Sequence, residues 1–171
     1  MGGFLYDHFG PSDHIPDGVN AGDLALVILD LDDADVLAAA DDFLPPTGME
    51  EGRPGKPRSH RYYLVDATKV PAAHTAGYGG TAKQAVEAAA REDQYPGPRT
   101  RSFTRPGRKK AFRLIGAGGQ TACPPSLHSS GVRREWEGGE IGEPAVVDYM
   151  DLWLAGCKLA EATGCKVPEG R

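Results

Sequence analysis

Leu24-Ala25-Leu26-Val27-Ile28-Leu29-Asp30-Leu31-Asp32 is the stretch that decides how this chain folds. An apolar run of this length containing Val and Ile predicts a buried strand. Side chains alternate along a strand, so Asp30 and Asp32 are expected to leave one face, side by side. Two carboxylates that close repel each other unless a cation lies between them. A divalent metal that also holds phosphates is the commonest solution, so the pair points to metal-dependent chemistry on a phosphorylated substrate. The competing reading is a helix N-cap with a solvated neighbour, since Asp33 and Asp35 crowd the same segment. A calcium loop starting at Asp30 would need glycine at its sixth position, where Asp35 stands. A glycosyltransferase D-x-D holding a metal and a nucleotide diphosphate stays open.

The 171 residues suit one domain, or two small lobes sharing a core, and can bury a sizeable interior. The formal charge of -5 is unevenly distributed. Asp30, Asp32, Asp33, Asp35, Asp41 and Asp42 crowd one segment, and Arg99, Arg101, Arg105, Arg108, Lys109, Lys110 and Arg113 another. An acidic, metal-binding pole facing a basic strip would make a polyanion site; a solvated loop balancing an acidic helix is the plainer alternative. Cys123, Cys157 and Cys165 form no C-x-x-C pair and no even framework, so neither a disulfide scaffold nor a zinc site is expected. No apolar run reaches membrane-spanning length and the N-terminus lacks a signal-peptide pattern, so the expected setting is a reducing cytoplasm, with no membrane partner.

Residues 1–22, rich in Gly, Pro, Asp and His, are expected to be irregular. After the strand at 24–31, Asp33 opens a short helix with apolar positions at Val36, Leu37, Ala40, Phe43 and Leu44, stopped by Pro45-Pro46. A Gly/Pro loop over 47–58 leads into a strand from Ser59 to Val65. Thr81 with Gln84 forms a capping box for a helix to about Glu92, and 94–110 reads as a basic loop. Ala111 to Ile115 predicts a strand, and the glycines from Gly116 to Gly119 a hairpin turn into another from Gln120 to Cys123. Residues 127–143 read as irregular, anchored by Trp136. A last helix is expected over 144–163, with a stripe of Val146, Val147, Met150, Trp153, Leu154, Cys157 and Ala160. The mixed order predicts an α+β class with short mixed or antiparallel sheets and flanking helices.

Lys56, Arg58, Ser59 and His60 come together at the mouth of the second strand, a set of side chains suited to phosphate; a purely structural histidine is the alternative. In Gln120-Thr121-Ala122-Cys123-Pro124-Pro125-Ser126-Leu127-His128 the prolines stiffen the chain and hold Ser126 and His128, or simply make a rigid strand exit. Spacing alone does not make Ser126 and His128 a catalytic pair. No Walker-type loop occurs, because Gly55-Lys56 is followed by Pro57.

Taken in order, "VILDLDDADVLAAADDFLPPTG", "GRPGKPRSHRYY" and "RLIGAGGQTACPPSLHSSGVRREW" resemble the bifunctional DNA primase/polymerase (prim-pol) domain of phage and plasmid replication proteins, in the archaeo-eukaryotic primase superfamily. The resemblance runs from about Gly18 to the C-terminus. It implies a small α/β unit joined to a module resembling an RNA-recognition fold, with the active site between them. It implies Asp30 and Asp32 as ligands of Mg²⁺ or Mn²⁺ and His60 as a catalytic contact to the phosphates of an incoming NTP or dNTP. Lys56, Arg58 and Ser59 would line the same loop, with Arg113, Gln120, Ser126 and His128 completing the nucleotide site. The reaction would be attack of a 3′-hydroxyl on the α-phosphate, and the strip of Arg99, Arg101, Arg105, Arg108, Lys109 and Lys110 would contact a DNA template or primer through its phosphates. A helicase domain or protein is the further partner implied.

One position departs from the pattern. Arg113, in Phe112-Arg113-Leu114, stands where the family's third motif has an acid. Arginine cannot ligate a cation and reverses the local charge, which leaves three alternatives: Asp30 and Asp32 hold one metal that arrives with the nucleotide, Arg113 neutralises the aspartates in the metal's place, or Asp148 or Glu140 supplies the third acid. A metal-dependent primase-polymerase is therefore weighed against a catalytically degenerate relative that binds nucleotide or single-stranded DNA. An unrelated glycosyl- or nucleotidyltransferase is the third reading, disfavoured by the basic strip.

Overall fold

A computed structural model describes residues 19–75, 97–117 and 119–168. Most of the expected irregular N-terminus, and the whole capping-box helix from Thr81 to Glu92, lie outside the described residues. The molecule is α+β. The described residues form seven strands, β1 (Leu24–Leu31), β2 (Glu50–Arg53), β3 (Lys56–Asp66), β4 (Arg101–Arg105), β5 (Arg108–Ile115), β6 (Glu135–Trp136) and β7 (Ala145–Val146). They form one sheet in the order β4-β5-β1-β3-β2-β6, antiparallel throughout, with β7 added in parallel to β3. Helices α1 (Ala34–Phe43), the single-turn α2 (Ala72–Thr75) and α3 (Tyr149–Ala162), with three short 3-10 turns at Ala21–Asp23, Ala67–Lys69 and Glu137–Gly139, complete the described elements. None of the described helices is long and apolar enough to cross a membrane.

The apolar run forms β1 as expected, and β1 is central because it pairs with β5 along one edge and β3 along the other. Val27, Leu29 and Leu31 join Tyr63, Phe103, Phe112 and Leu114 in the main core, beneath Val36 and Ala40 of α1 and Leu152, Trp153 and Leu159 of α3. Phe103 and Phe112 stack across β4 and β5, with ring centroids 4.1 Å apart. Burying each such side chain contributes roughly 1.5–3 kcal/mol. The alternate residues face the other way, where Ile28, Met49, Tyr62 and Ile115 form a smaller cluster with Trp136 against Tyr62. Asp33 caps α1 by accepting from the Asp35 amide, and Leu44 before Pro45-Pro46 is extended, which stops the helix.

Several boundaries differ from the sequence expectation. The strand expected from Ser59 extends over Lys56–Asp66, because β2 emerges from the supposed Gly/Pro loop and pairs with it. The supposed basic loop is in its later part a hairpin, β4 and β5, turned at Pro106-Gly107 with Gly107 at φ +79°. The alternation in Arg101-Ser102-Phe103-Thr104-Arg105 carried that strand signal beneath the charge.

Gln120–Cys123 is not a strand, and no hairpin follows Ile115. Instead the chain folds back beside the entry to β4: the Ala117 amide donates to the Pro98 carbonyl, and a Cβ on Gly116 would overlap that oxygen. The last helix starts at Tyr149 and not at Pro144. Asp148 is extended and caps it by accepting from the Met150 and Asp151 amides, while Ala145–Val146 is held to β3.

Candidate functional site

Strand register builds a line of polar side chains across the sheet. Ser102 of β4 pairs with Arg113 of β5, Arg113 with Asp30 of β1, Asp30 with His60 of β3, His60 with Glu51 of β2, and Glu51 with Trp136 of β6. Directly paired residues project from the same face. This row therefore lies on the face opposite α1 and α3, beside the Ile28–Tyr62–Ile115 cluster.

Its charges alternate. Arg113 Nη2 donates to Asp30 Oδ2 at 2.6 Å, and His60 Nε2 lies 2.9 Å from Asp30 Oδ1. On the other side of the ring His60 Nδ1 contacts Glu51 Oε1. Arg134 closes the row with two donations to Glu51, from Nε at 2.8 Å and from Nη2 at 2.9 Å. Tyr62 donates to the same carboxylate at 3.3 Å, and Thr121 Oγ1 lies 3.3 Å from His60 Nδ1. Asp30, His60, Glu51 and Arg134 are all buried, Glu51 completely.

Protonation follows from this packing. Burial alone would lower the His60 pKa, but the hydrogen bonds and charges of Asp30 and Glu51 outweigh it, so the imidazole lies above its ordinary value. As an imidazolium it donates to both carboxylates. Arg134 Nη2, 2.9 Å from His60 Nδ1, then shares the Glu51 acceptor and does not donate to the ring, since Nδ1 carries its own proton. Burial would raise the Asp30 pKa, but His60 and Arg113 hold it down at about 2.

The expected site residues separate into three groups. Asp30, His60 and Arg113 meet in the row. Asp32 lies past the end of β1, exposed, with Lys56 Nζ 3.4 Å away. Arg58 is turned away from His60. Its φ of +52°, next to the irregular β2–β3 register, sends it to Glu50 (2.5 Å) and Asp41 (2.8 Å). Ser59 is buried and, by alternation, leaves the face opposite to His60. Gln120 is exposed; Ser126 donates to the Cys123 carbonyl, and His128 Nδ1 lies 2.8 Å from Ser130 Oγ, so Ser126 and His128 are engaged locally.

Much of the basic strip is tied into the fold. Arg99 and Arg101 both donate to the Ala73 carbonyl at the short helix α2, and Arg101 lies 5.8 Å from the Trp153 ring centroid. Arg105 joins Asp33 (3.1 Å), Asp35 (2.8 Å) and the Thr163 carbonyl (2.5 Å), bracing the start of α1 against the end of α3. Arg108 and Lys109 open β5, and Lys110 is exposed.

Sequence reasoning missed Glu51, Arg134 and Thr121. Glu51 sat in the supposed loop, and Arg134 is 83 positions from Glu51, so no local pattern pointed to the pair. Among the described residues no group of three His, Cys, Asp or Glu side chains is placed to hold a metal ion. Asp30 directs both oxygens at protein donors, and Arg113 brings a cation to the same carboxylate. This donor set does not fit a divalent metal centre. It fits a chain of internal ion pairs with Arg113 at its more open end. No protein-family model, no curated protein and no solved structure matches this chain.

Proposed function

We propose that this chain is a primase-polymerase-type domain of a phage or plasmid replication protein, one that engages the phosphates of an NTP or dNTP and of single-stranded DNA. One observation carries the reading. Asp30, His60 and Arg113 come from the three separate segments that resemble this family, 30 and 83 positions apart, and they meet within hydrogen-bond distance. The antiparallel sheet with helices on one face is compatible with the two-module fold that belongs to this proposal.

Within it, the Arg113–Asp30 pair favours a centre that binds over one that polymerises. Arg113 compensates the carboxylate that a metal would otherwise need to compensate. The second reading, a working metal-dependent primase-polymerase, draws on Asp32, which is exposed beside the row with Lys56 3.4 Å from its carboxylate.

Template-directed nucleotide incorporation with Mg²⁺ or Mn²⁺ separates the two. The binding reading expects no incorporation by the parent chain and a gain in Arg113→Glu. Incorporation by the parent that is lost in Asp30→Ala would establish the second reading. Affinity for single-stranded DNA should fall steeply with salt under both, and a flat salt response would favour a transferase unrelated to nucleic acid.

A further inference from the structure

Arg113 has more donors than its partner uses. Nη2 is on Asp30 Oδ2, whereas Nε is buried with no hydrogen-bond partner among the described residues. A quarter of the side chain remains exposed. That Nε is closed off from solvent, so the donors open to a ligand are those on the exposed part of the side chain. The planar fork of arginine suits two oxygens of one phosphate. Lys56 is held by the exposed Asp32 at 3.4 Å, a loose contact that an arriving anion can rearrange. The carboxylate that would attract a metal is already neutralised from both sides.

We infer that Arg113 is the resident cation of this site, so that the site takes the polyphosphate of a nucleoside triphosphate without a divalent metal. The inference rests on the nucleotide-binding reading above and adds the source of the positive charge. Arg113 offers the N–H groups of its exposed part to phosphate oxygens while Nη2 stays on Asp30. Lys56, at the start of β3, adds a second positive charge beside Asp32. Magnesium added with the nucleotide brings charge that the site already has, and so adds little.

The test is calorimetric titration of the full chain with ATP and with inorganic triphosphate, at fixed ionic strength, in EDTA and in Mg²⁺. Dissociation constants for each probe should agree within about threefold between the two media. Arg113→Gln should weaken binding in EDTA by at least about tenfold, and Arg113→Glu should make the remaining binding depend on Mg²⁺. Arg113→Lys keeps the charge and loses the fork, so it too should bind more weakly, which covers the case of a Gln variant that does not fold. Binding by the parent only in Mg²⁺ would overturn this inference and leave the nucleotide reading in place. Unchanged binding in folded Arg113→Gln or Arg113→Lys would also overturn it. Absence of binding in both media would remove both.

Discussion

Arg113 and Asp30 occupy paired positions on β5 and β1, and Arg113 Nη2 donates to Asp30 Oδ2 across 2.6 Å. Asp30 is thereby placed between a guanidinium and an imidazole, each on an adjoining strand. The relationship determines what the acidic end of β1 can do, because a carboxylate with both oxygens engaged has little left to offer a metal ion.

Breaking the pair from either side should cost stability. Arg113→Ala and Asp30→Ala are each expected to destabilise by about 1–3 kcal/mol, the range for losing a partly buried charged hydrogen bond. The double variant should lose clearly less than the sum. Urea unfolding of the four proteins measures this, and strictly additive losses would mean that the contact carries no energy.

The row also sets a pH dependence. His60 is raised above 6.5 in the folded chain, so its contribution is complete below that value and disappears as pH rises through the folded pKa. Asp30 is lowered from 3.8 to about 2, so its contribution is complete above 3.8 and lost as pH falls through about 2. Urea midpoints should therefore decline on the alkaline side of 6.5, and His60→Gln should flatten that decline. An identical alkaline slope in the variant would show that His60 is not charged in the row.

Arg134 holds a carboxylate that has no exposure to solvent. Arg134→Ala leaves Glu51 with His60 and Tyr62 and should destabilise by roughly 3–5 kcal/mol. Combining it with Glu51→Gln removes the stranded charge and should recover part of the loss. Thermal unfolding of both variants is the check, and no recovery in the double would point to packing and not to charge.

Gly116 sits where a side chain has no room. Gly116→Ala would drive a Cβ into the Pro98 carbonyl oxygen and should cost roughly 3 kcal/mol. Gly131 has φ +81° with open space around it, so Gly131→Ala should cost only the left-handed backbone penalty of about 1–2 kcal/mol. Comparable midpoints for the two variants would contradict the close approach.

The basic strip should divide by function. Arg105→Ala loses its ties to Asp33, Asp35 and Thr163 and should lower the unfolding midpoint. Lys110→Ala, on an exposed side chain, should stay within about 0.5 kcal/mol of the parent. Retention on single-stranded DNA at low salt should drop for Lys110→Ala without a change in unfolding midpoint. Unaltered retention would remove Lys110 from the proposed contact.

Local pattern reached the elements whose stability is local. β1 was legible because an unbroken apolar run has few alternatives, and α1 because Asp33 and Pro45-Pro46 mark its two ends. β2 and β4 were not, since Glu50–Arg53 and Arg101–Arg105 are polar strands whose pairing partners supply the order. The start of α3 was misplaced for a related reason. Ala145–Val146 extends the apolar stripe of the helix, yet β3 captures it as a strand.

The sequence by itself determined the α+β class, the central strand with its aspartates, and the presence of Arg113 where an acid was expected. Those features depend on residue type and near-neighbour spacing. Only the tertiary structure decided that Asp30 spends its oxygens on His60 and Arg113, that Glu51 and Arg134 complete the row, and that Arg58, Arg101 and Arg105 brace the fold. Those outcomes depend on strand register and burial, which bring together charges 83 positions apart and make each buried charge find a partner.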